Sequence, residues 1–318
     1  MVVDFINSSY RRFYKEHRDE LVQAFEDCAS KGDFMLREQT RLFETNLAKY
    51  TDTKYCVSTN SGTDSIFLSL LALGVGPGDE VITVSHTFIA TIQAIVHTGA
   101  TPILVDVGED ALMDPEQLKK AITRKTKAII PVHLSGKVCN MKEIMDLAEY
   151  EGFKVVEDAC QALGASIGDR MAGSFGDTGA FSFNFPKMMG CFGDGGAIVT
   201  DDEELYKKLL LLRNHWNITQ GSVKEKDYPP PSVMGFGWKS RMDNIQAAIL
   251  NVKAKYYDKM LARRKEIAGR YNEAFKDLPI TLPIQHEGQV YQEFIIRVPD
   301  REEFVDHMHK AGIELLVR

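Results

Sequence analysis

The chain has few cysteines, and none of the spacings between them is typical of a metal site. Five cysteines are spread over 318 residues, and no CxxC pair occurs among them. Neither a zinc site nor a disulfide scaffold is expected from this pattern. Reduced thiols are typical of cytoplasmic proteins. The sequence therefore predicts a cytoplasmic protein without a metal centre.

Long apolar runs and an excess of basic residues are also missing. The longest apolar runs, such as residues 66–75, are too short to span a bilayer, and the N-terminal segment MVVDFINSSYRRFYKEHRDE has no apolar signal core. With 38 basic and 45 acidic residues the net charge is −7, which argues against nucleic acid or a membrane as partner. An anionic small molecule is still compatible with this balance, because a local pocket can be positive.

From residue 54 onward, short β-rich runs alternate with amphipathic helical stretches. The predicted strands cover residues 55–58, 80–84, 102–105, 128–132 and 154–157, and the predicted helices between them cover residues 64–73, 90–97, 115–122 and 142–150. This alternation predicts right-handed βαβ units and a mostly parallel sheet with helices on both faces.

The length of the chain favours two domains. We predict a large α/β domain over residues 1–240, which includes an N-terminal helical segment, and a small C-terminal α+β domain over residues 241–318. The small domain should contain a long helix over 243–275, a strand over 291–298 and a helix over 301–311. It ends on an apolar run, so it is expected to continue beyond Arg318. The proline-rich segment 217–237 is predicted to be a functional or interface loop.

The segment KVVEDACQALGA, residues 154–165, is an apolar strand that ends in a carboxylate. Ligands of parallel α/β sheets bind beyond the carboxyl ends of the strands, so Asp158 is expected at a binding crevice. An equally weighted alternative is that Asp158 caps a following helix.

The segment GAFSFNFPKMMGCFGDGGAIVT, residues 179–200, places Lys187 in a turn after a strand that contains Phe181 and Phe183. Apolar neighbours desolvate an amine, and a neutral amine can form a Schiff base. A lone lysine is usually a solvated surface cation. Its position after a strand-end aspartate makes a catalytic role the better interpretation here.

A lysine and a buried aspartate are the two groups that pyridoxal 5′-phosphate (PLP) needs, because the aspartate keeps the pyridine nitrogen protonated. The phosphate prefers a helix N-terminus with hydroxyl groups, which STNSGTDS at residues 58–65 supplies through Gly62 and Thr63. Phe88 could stack on the ring. The alternatives are a merely capped helix and a core phenylalanine. His133 and His215 could contact a substrate but are more simply structural or surface histidines.

These motifs together resemble the DegT/DnrJ/EryC1/StrS family of nucleotide-sugar aminotransferases over nearly the whole chain. The resemblance implies the type I fold of PLP-dependent transferases, with a large mostly parallel α/β/α domain and a smaller α+β domain. It also implies cofactor-binding roles, in which Lys187 forms the Schiff base, Asp158 contacts the pyridinium, Gln161 bonds the ring hydroxyl, Phe88 stacks on the ring, and Gly62, Thr63 and Ser182 hold the phosphate.

The activity implied by the resemblance is transfer of an amino group to a nucleotide-linked keto-deoxyhexose, at C3 or C4, from L-glutamate or glutamine. Such enzymes serve surface-polysaccharide or secondary-metabolite sugar biosynthesis. Relatives that have histidine instead of the lysine are dehydratases, so Lys187 favours transamination. A PLP-dependent dehydratase or lyase and a non-catalytic regulatory member are the alternatives. The sequences GDGG and DACQ favour a 3-keto substrate slightly.

One position departs from the family pattern. The family has asparagine in a GxNxR motif that reaches the cofactor phosphate of the partner subunit, whereas this chain has Lys239 in GWKSR. A lysine can contact a phosphate as a point charge, so we expect Lys239 to take over that role. The resemblance also implies a homodimer with shared active sites, and the loop 217–237 is our candidate for the crossing segment.

Overall fold

The computed structural model describes residues 5–217 and 235–317. The predicted loop 217–237 therefore lies almost entirely outside the described residues. Within them no helix combines the length and the apolar character that crossing a membrane requires.

The N-terminal part is helical, and a sheet with interspersed helices follows it. The helices before residue 217 are α1 (Phe5–Glu16), α2 (Arg18–Lys31), α3 (Glu38–Tyr50), α4 (Gly62–Ala72), α5 (Ile89–His97), α6 (Pro115–Ala121), α7 (Met141–Glu151) and α8 (Glu203–Leu212). The strands are β1 (Tyr55–Thr59), β2 (Glu80–Val84), β3 (Thr101–Val105), β4 (Thr126–Ile130), β5 (Lys154–Asp158), β6 (Ser166–Ile167), β7 (Arg170–Met171), β8 (Thr178–Ser182) and β9 (Gly196–Thr200).

Seven of these strands form one sheet in the order β1-β9-β8-β5-β4-β2-β3. The pairs from β3 through β2, β4 and β5 to β8 are parallel, whereas β9 runs antiparallel to both β8 and β1. The prediction of a mostly parallel α/β sheet is thus confirmed. Strands β6 and β7 form a separate small hairpin.

Each face of the sheet is covered by its own apolar cluster, because successive residues of a strand point to opposite faces. Phe181 belongs to the cluster that contains Phe43 and Leu47 of α3. Its neighbour Ala180 belongs to the other cluster, which includes residues of α4, α5 and α8. Helices on both faces leave the strand ends as the place where polar groups can gather.

A buried ion pair fixes β1, the strand that leads into the predicted phosphate site. Arg213, which is 1% exposed, donates through Nη1 to the carboxylate of Glu44 and to the carbonyl of Ser58 at 3.0 Å. Glu44 also accepts from the Ser58 amide at 2.9 Å. The end of α8, helix α3 and strand β1 are therefore locked to one another.

The C-terminal part differs from its prediction in two places. The long helix expected over 243–275 is two helices, α9 (Asn244–Ala254) and α10 (Tyr257–Phe275), and the next helix is α11 (Arg301–Lys310). The strand predicted over 291–298 is absent from the described residues, where a single bridge joins Thr281 and Arg297. A strand needs a neighbour for its backbone groups, and besides this bridge the segment has one such bond, from the amide of Gln292 to the carbonyl of Ser135. The division into two domains stays a prediction.

Candidate active site

Asp158 ends the central strand β5, next to β8 on one side and β4 on the other. The residue is 6% exposed, and its carboxylate has two donors, the hydroxyl of Thr91 at 2.7 Å and the amide of Cys160 at 3.1 Å. No helix follows, since residues 159–165 form turns. The alternative of a helix cap is therefore wrong, and the two bonds hold the carboxylate in one orientation at the strand end.

Lys187 lies in the turn between β8 and β9, and its residue is half-buried. Its amide donates to the carbonyl of Asn184 at 2.9 Å, and its own carbonyl accepts from the amide of Gly190 at 2.9 Å. A third bond comes from helix α1, where the hydroxyl of Tyr10 donates to the same carbonyl at 2.9 Å. The bonds within the turn and the bond from α1 thus fix the backbone position from which the Lys187 side chain extends.

The thiol of Cys160 lies within the electrostatic influence of both Asp158 and Lys187. Burial raises the pKa of this thiol well above its ordinary value, the negative charge of Asp158 raises it further, and the positive charge of Lys187 lowers it. Charge effects of this kind fall off with distance. Both the carboxylate of Asp158 and the amine of Lys187 therefore lie within electrostatic range of the Cys160 thiol.

The N-terminus of α4 packs against the same point. A Cβ atom added to Gly62 would lie 2.7 Å from Cβ of Ser182 and 2.8 Å from Sγ of Cys160, so only glycine allows this approach. Ser61 caps the helix by accepting from the amide of Asp64 at 3.1 Å. The amides of Gly62 and Thr63 have no acceptor among the described residues, which leaves two donors for an anion.

Replacing Gly62 with alanine should move the first turn of α4 away from Ser182 and Cys160, because both neighbours lie closer to the new methyl group than a Cβ atom tolerates. We expect affinity for a phosphate-bearing cofactor to fall by about tenfold or more, measured by equilibrium titration with the cofactor. Gly76→Ala is the matched control, since no atom lies within 4 Å of its added Cβ. Equal affinities of both variants and the wild type would contradict this prediction.

The remaining predicted residues surround this point less closely. The side-chain oxygen of Gln161 accepts from the amide of Ser135 at 2.7 Å, which leaves the amide nitrogen of Gln161 as a donor. Ser182 ends β8 beside Gly62. Phe88 precedes α5 and is 66% exposed, so the alternative of a core phenylalanine is wrong. Its ring is available to cover a ligand.

Lys239 is exposed and makes a backbone bridge to Asn214. The hydroxyl of the adjacent Ser240 lies 3.2 Å from the side-chain oxygen of Asn60, close to the start of α4. No bond in the described residues brings the Lys239 side chain to Asp158 or Lys187. Its predicted role toward a partner subunit stays a prediction.

The two histidines have ordinary surroundings. His133 is fully buried, with Nε2 2.8 Å from a carboxylate oxygen of Glu157 and Nδ1 accepting from the amide of Cys139 at 3.2 Å. His215 is exposed. The simpler interpretation of both is thus in agreement with the structure.

Sequence reasoning missed Thr91 and Tyr10, which bond to the two central residues. The motif SHTFIAT does place a hydroxyl three residues after Phe88, one helical turn away. That spacing could have indicated Thr91. No local signal could have indicated Tyr10, which lies 177 residues before Lys187.

The sheet order and this cluster at the strand ends define an α/β protein of the aminotransferase type. The model of the DegT/DnrJ/EryC1/StrS aminotransferase family matches residues 15–317, and the chain belongs to that family. A curated relative from Streptomyces venezuelae, dTDP-3-amino-3,4,6-trideoxy-alpha-D-glucose transaminase, is 39% identical over 95% of this chain and 78% of its own length. The "Pleiotropic regulatory protein" of Geobacillus stearothermophilus is 37% identical over 96% of this chain and 81% of its own length.

Solved structures show the same likeness. The chain matches the crystal structure of S. venezuelae DesV in complex with a ketimine intermediate, with a TM-score of 0.90 and 38% identity over 96% of this chain and 80% of that one. Other matched structures are described as bound to the cofactor PMP or as a PLP-form. The predicted family, the type I fold and the aminotransferase class are confirmed.

Proposed function

We propose that this chain is a PLP-dependent aminotransferase that transfers an amino group from L-glutamate, or from glutamine, to the keto group of a nucleotide-linked deoxyhexose. This proposal is carried by three observations around Cys160: its amide donates to Asp158, the free N-terminus of α4 packs against its thiol, and the charges of Asp158 and Lys187 both act on that thiol. The relative named as a transaminase of a dTDP-linked amino sugar supports the substrate class. The residues GDGG and DACQ favour a keto group at C3, and a place in surface-polysaccharide or secondary-metabolite sugar biosynthesis follows from the same analogy.

The donor set fits PLP group by group. Gly62 and Thr63 offer two free amides to the phosphate, and Ser182 offers a hydroxyl beside them. The amide nitrogen of Gln161 can donate to the ring hydroxyl, and the exposed Phe88 can cover the ring. These contacts would bind and orient the cofactor before any substrate arrives.

When bound, PLP supplies an aldehyde for amine exchange and a cationic ring that accepts electron density from a neighbouring carbon. Asp158 holds the proton on the ring nitrogen, and Thr91 keeps that carboxylate aimed by its 2.7 Å bond. In each half-reaction the amine of Lys187 would act first as a base and then as an acid. In the first half-reaction it would take the α-proton of the donor amino acid and deliver a proton to the carbon of the cofactor aldehyde group. In the second half-reaction it would move a proton in the opposite direction, to the sugar carbon that receives the amino group. Phe88 excludes water from the face that it covers.

A visible absorbance spectrum of the purified protein tests the proposal directly. We expect a PLP band that shifts when L-glutamate is added and returns when a keto-sugar nucleotide follows. A panel of 3-keto and 4-keto sugars on different nucleotides would identify the acceptor by mass spectrometry of the amino product. A protein that binds no PLP would contradict the proposal. So would a protein whose PLP band shifts with neither L-glutamate nor glutamine.

Two other functions are separated by the same measurements. A dehydratase or lyase of this fold would change the sugar without consuming glutamate in single-turnover reactions. A regulatory protein, as the relative from Geobacillus stearothermophilus is named, would leave every keto sugar unchanged. The presence of both Lys187 and Asp158 favours catalysis, because a binding protein has no need of this pair.

We further propose a homodimer in which Lys239 binds the cofactor phosphate of the partner subunit. Phe236 and Trp238, near Lys239, are 87% and 41% exposed, and exposed aromatic residues favour an interface. Sedimentation that shows an active monomer would contradict the shared site.

Lys239→Ala should weaken PLP binding about tenfold or more, because a charge-assisted bond to the phosphate is lost. Equilibrium titration of the purified variant measures this effect. Lys255→Ala is the matched control, since Lys255 is an exposed lysine that pairs with Glu20. An unchanged PLP affinity of Lys239→Ala would contradict a contact between Lys239 and the phosphate.

A further inference from the structure

The backbone of the turn that carries Lys187 receives two side-chain donors from distant helices. The hydroxyl of Tyr10, on α1, donates to the carbonyl of Lys187 at 2.9 Å. The amine of Lys253, on α9, donates to the carbonyl of Gly190. The amide of Gly190 in turn donates to the carbonyl of Lys187 at 2.9 Å, so both side chains hold the same closed turn.

Lys253 occupies an unusual place for a lysine, because it is 2% exposed and forms no salt bridge within the described residues. Its amine lies 4.4 Å from the ring centre of Tyr10 and 5.4 Å from the ring centres of both Phe13 and Phe192. Aromatic faces attract a cation, but they do not replace a hydrogen bond. The carbonyl of Gly190 is the acceptor that the buried amine has in this structure.

A buried amine without a carboxylate partner costs stability. Burial lowers the pKa of Lys253 to about 8, although the facing thiol of Cys191 raises it. The other titratable groups nearby are Tyr10, whose pKa burial raises, and the guanidinium of Arg264, which acts on Tyr10. The pKa of Lys253 is lower in the folded protein than in the unfolded chain. The destabilisation by its buried charge is therefore fully present below about pH 8 and fades as the pH approaches about 10.4.

The turn is closely packed around Gly190. A Cβ atom on Gly190 would collide with the hydroxyl of Tyr10 and with the carbonyls of Asn184 and Phe185. The hydroxyl of Tyr10 therefore fills the inside of the turn. This hydroxyl contacts backbone atoms of the turn, so it can affect the backbone geometry of the turn without touching a substrate.

We propose that Tyr10 and Lys253 are positioning residues, which clamp the carbonyls of Lys187 and Gly190 and so fix the point from which the Lys187 amine reaches the cofactor and the substrate. This inference rests on the proposed function, in which Lys187 is the reactive amine. A displacement of about 1 Å at a reacting group can lower a rate about 100-fold. Clamps on both carbonyls of one turn restrict such a displacement.

Hydrogen exchange tests the clamp with and without the cofactor. The variants are Tyr10→Phe, which removes one oxygen, and Lys253→Met, which removes the charge and keeps the apolar stem. Matched controls are Tyr14→Phe, on the same helix, and Lys255→Met, two residues after Lys253. We expect the amides of Lys187, Gly190 and Cys191 to exchange about tenfold faster in both variants than in the controls.

Kinetic and thermal measurements separate positioning from a merely structural role. In both variants kcat should fall about tenfold, while KM for either substrate changes less than about twofold. The melting temperature of Lys253→Met at pH 7 should equal or exceed that of the wild type, because an unpaired buried charge is gone. A lower melting temperature with an unchanged kcat would overturn the proposal.

Exchange rates and kcat equal to those of the controls would also overturn it. A wild-type protein that binds no PLP would instead refute the proposed function, and exchange in the cofactor-free protein would still decide whether the clamp exists. Tyr10→Phe keeps the test valid if Lys253→Met does not fold, because its volume is almost unchanged.

Discussion

Lys187→Ala is expected to abolish both transamination and the visible band of the bound cofactor. The methyl side chain cannot bond to the cofactor aldehyde, and no general base remains at the α-carbon of the amino donor. Loss of both roles should lower kcat by at least about 10⁴-fold. Steady-state turnover with L-glutamate and a keto-sugar nucleotide measures this effect.

Cofactor binding and two further variants distinguish a loss of catalysis in Lys187→Ala from a loss of folding. Asp158 and the free amides at the start of α4 remain in Lys187→Ala, so the variant should still bind pyridoxamine phosphate, which needs no bond to a lysine. Lys187→Arg keeps the charge but cannot form the bond, and it should be equally inactive. Lys142→Ala, at an exposed lysine of α7, is the control. Retention of turnover and of the visible band in Lys187→Ala would refute the mechanism.

Asp158→Asn is expected to lower kcat by about 10²–10³-fold while leaving the fold intact. An amide cannot hold a proton on the ring nitrogen as a carboxylate does, so electron density developing in the ring loses its stabilisation. The substitution conserves volume, and its oxygen can still accept a bond from Thr91 or from the amide of Cys160. Single-turnover kinetics of the glutamate half-reaction would measure the loss without the second substrate.

The orientation of the Asp158 carboxylate can be tested separately with Thr91→Val, which removes one 2.7 Å bond and leaves the charge. This variant should lose about tenfold in kcat, much less than Asp158→Asn. A rate for Asp158→Asn within twofold of the wild type would show that the carboxylate does not act on the ring.

The strands of the seven-stranded sheet and most helices before residue 217 were predictable because their signals are local, whereas the short strands β6 and β7 were not predicted. Alternating apolar residues and helical periodicity decide where a segment is buried. The predicted start of α4 lies two residues too late, since SGTDS contains four residues whose side chains can cap a helix. Tertiary contact decides between them, because Gly62 packs against Ser182 and Cys160 and the helix begins there.

The sequence predicts those site residues that lie close to the end of a strand. Asp158 and Lys187 could be found because each is next to a recognisable strand. The contacts of Thr91 and Tyr10 could not, since they depend on which elements the sheet order brings together. The break between α9 and α10 at residues 255–256 likewise has no proline or glycine to indicate it.

The order of the strands has a consequence for how the protein is made. Strand β1, which leads into the start of α4, has β9 as its hydrogen-bonded neighbour in the sheet, about 140 residues later in the chain. A nascent chain must therefore wait until β9 has left the ribosome before its first strand is paired. Such long-range pairing makes folding slow, and the proposed cofactor would stabilise only the folded protein, by mass action.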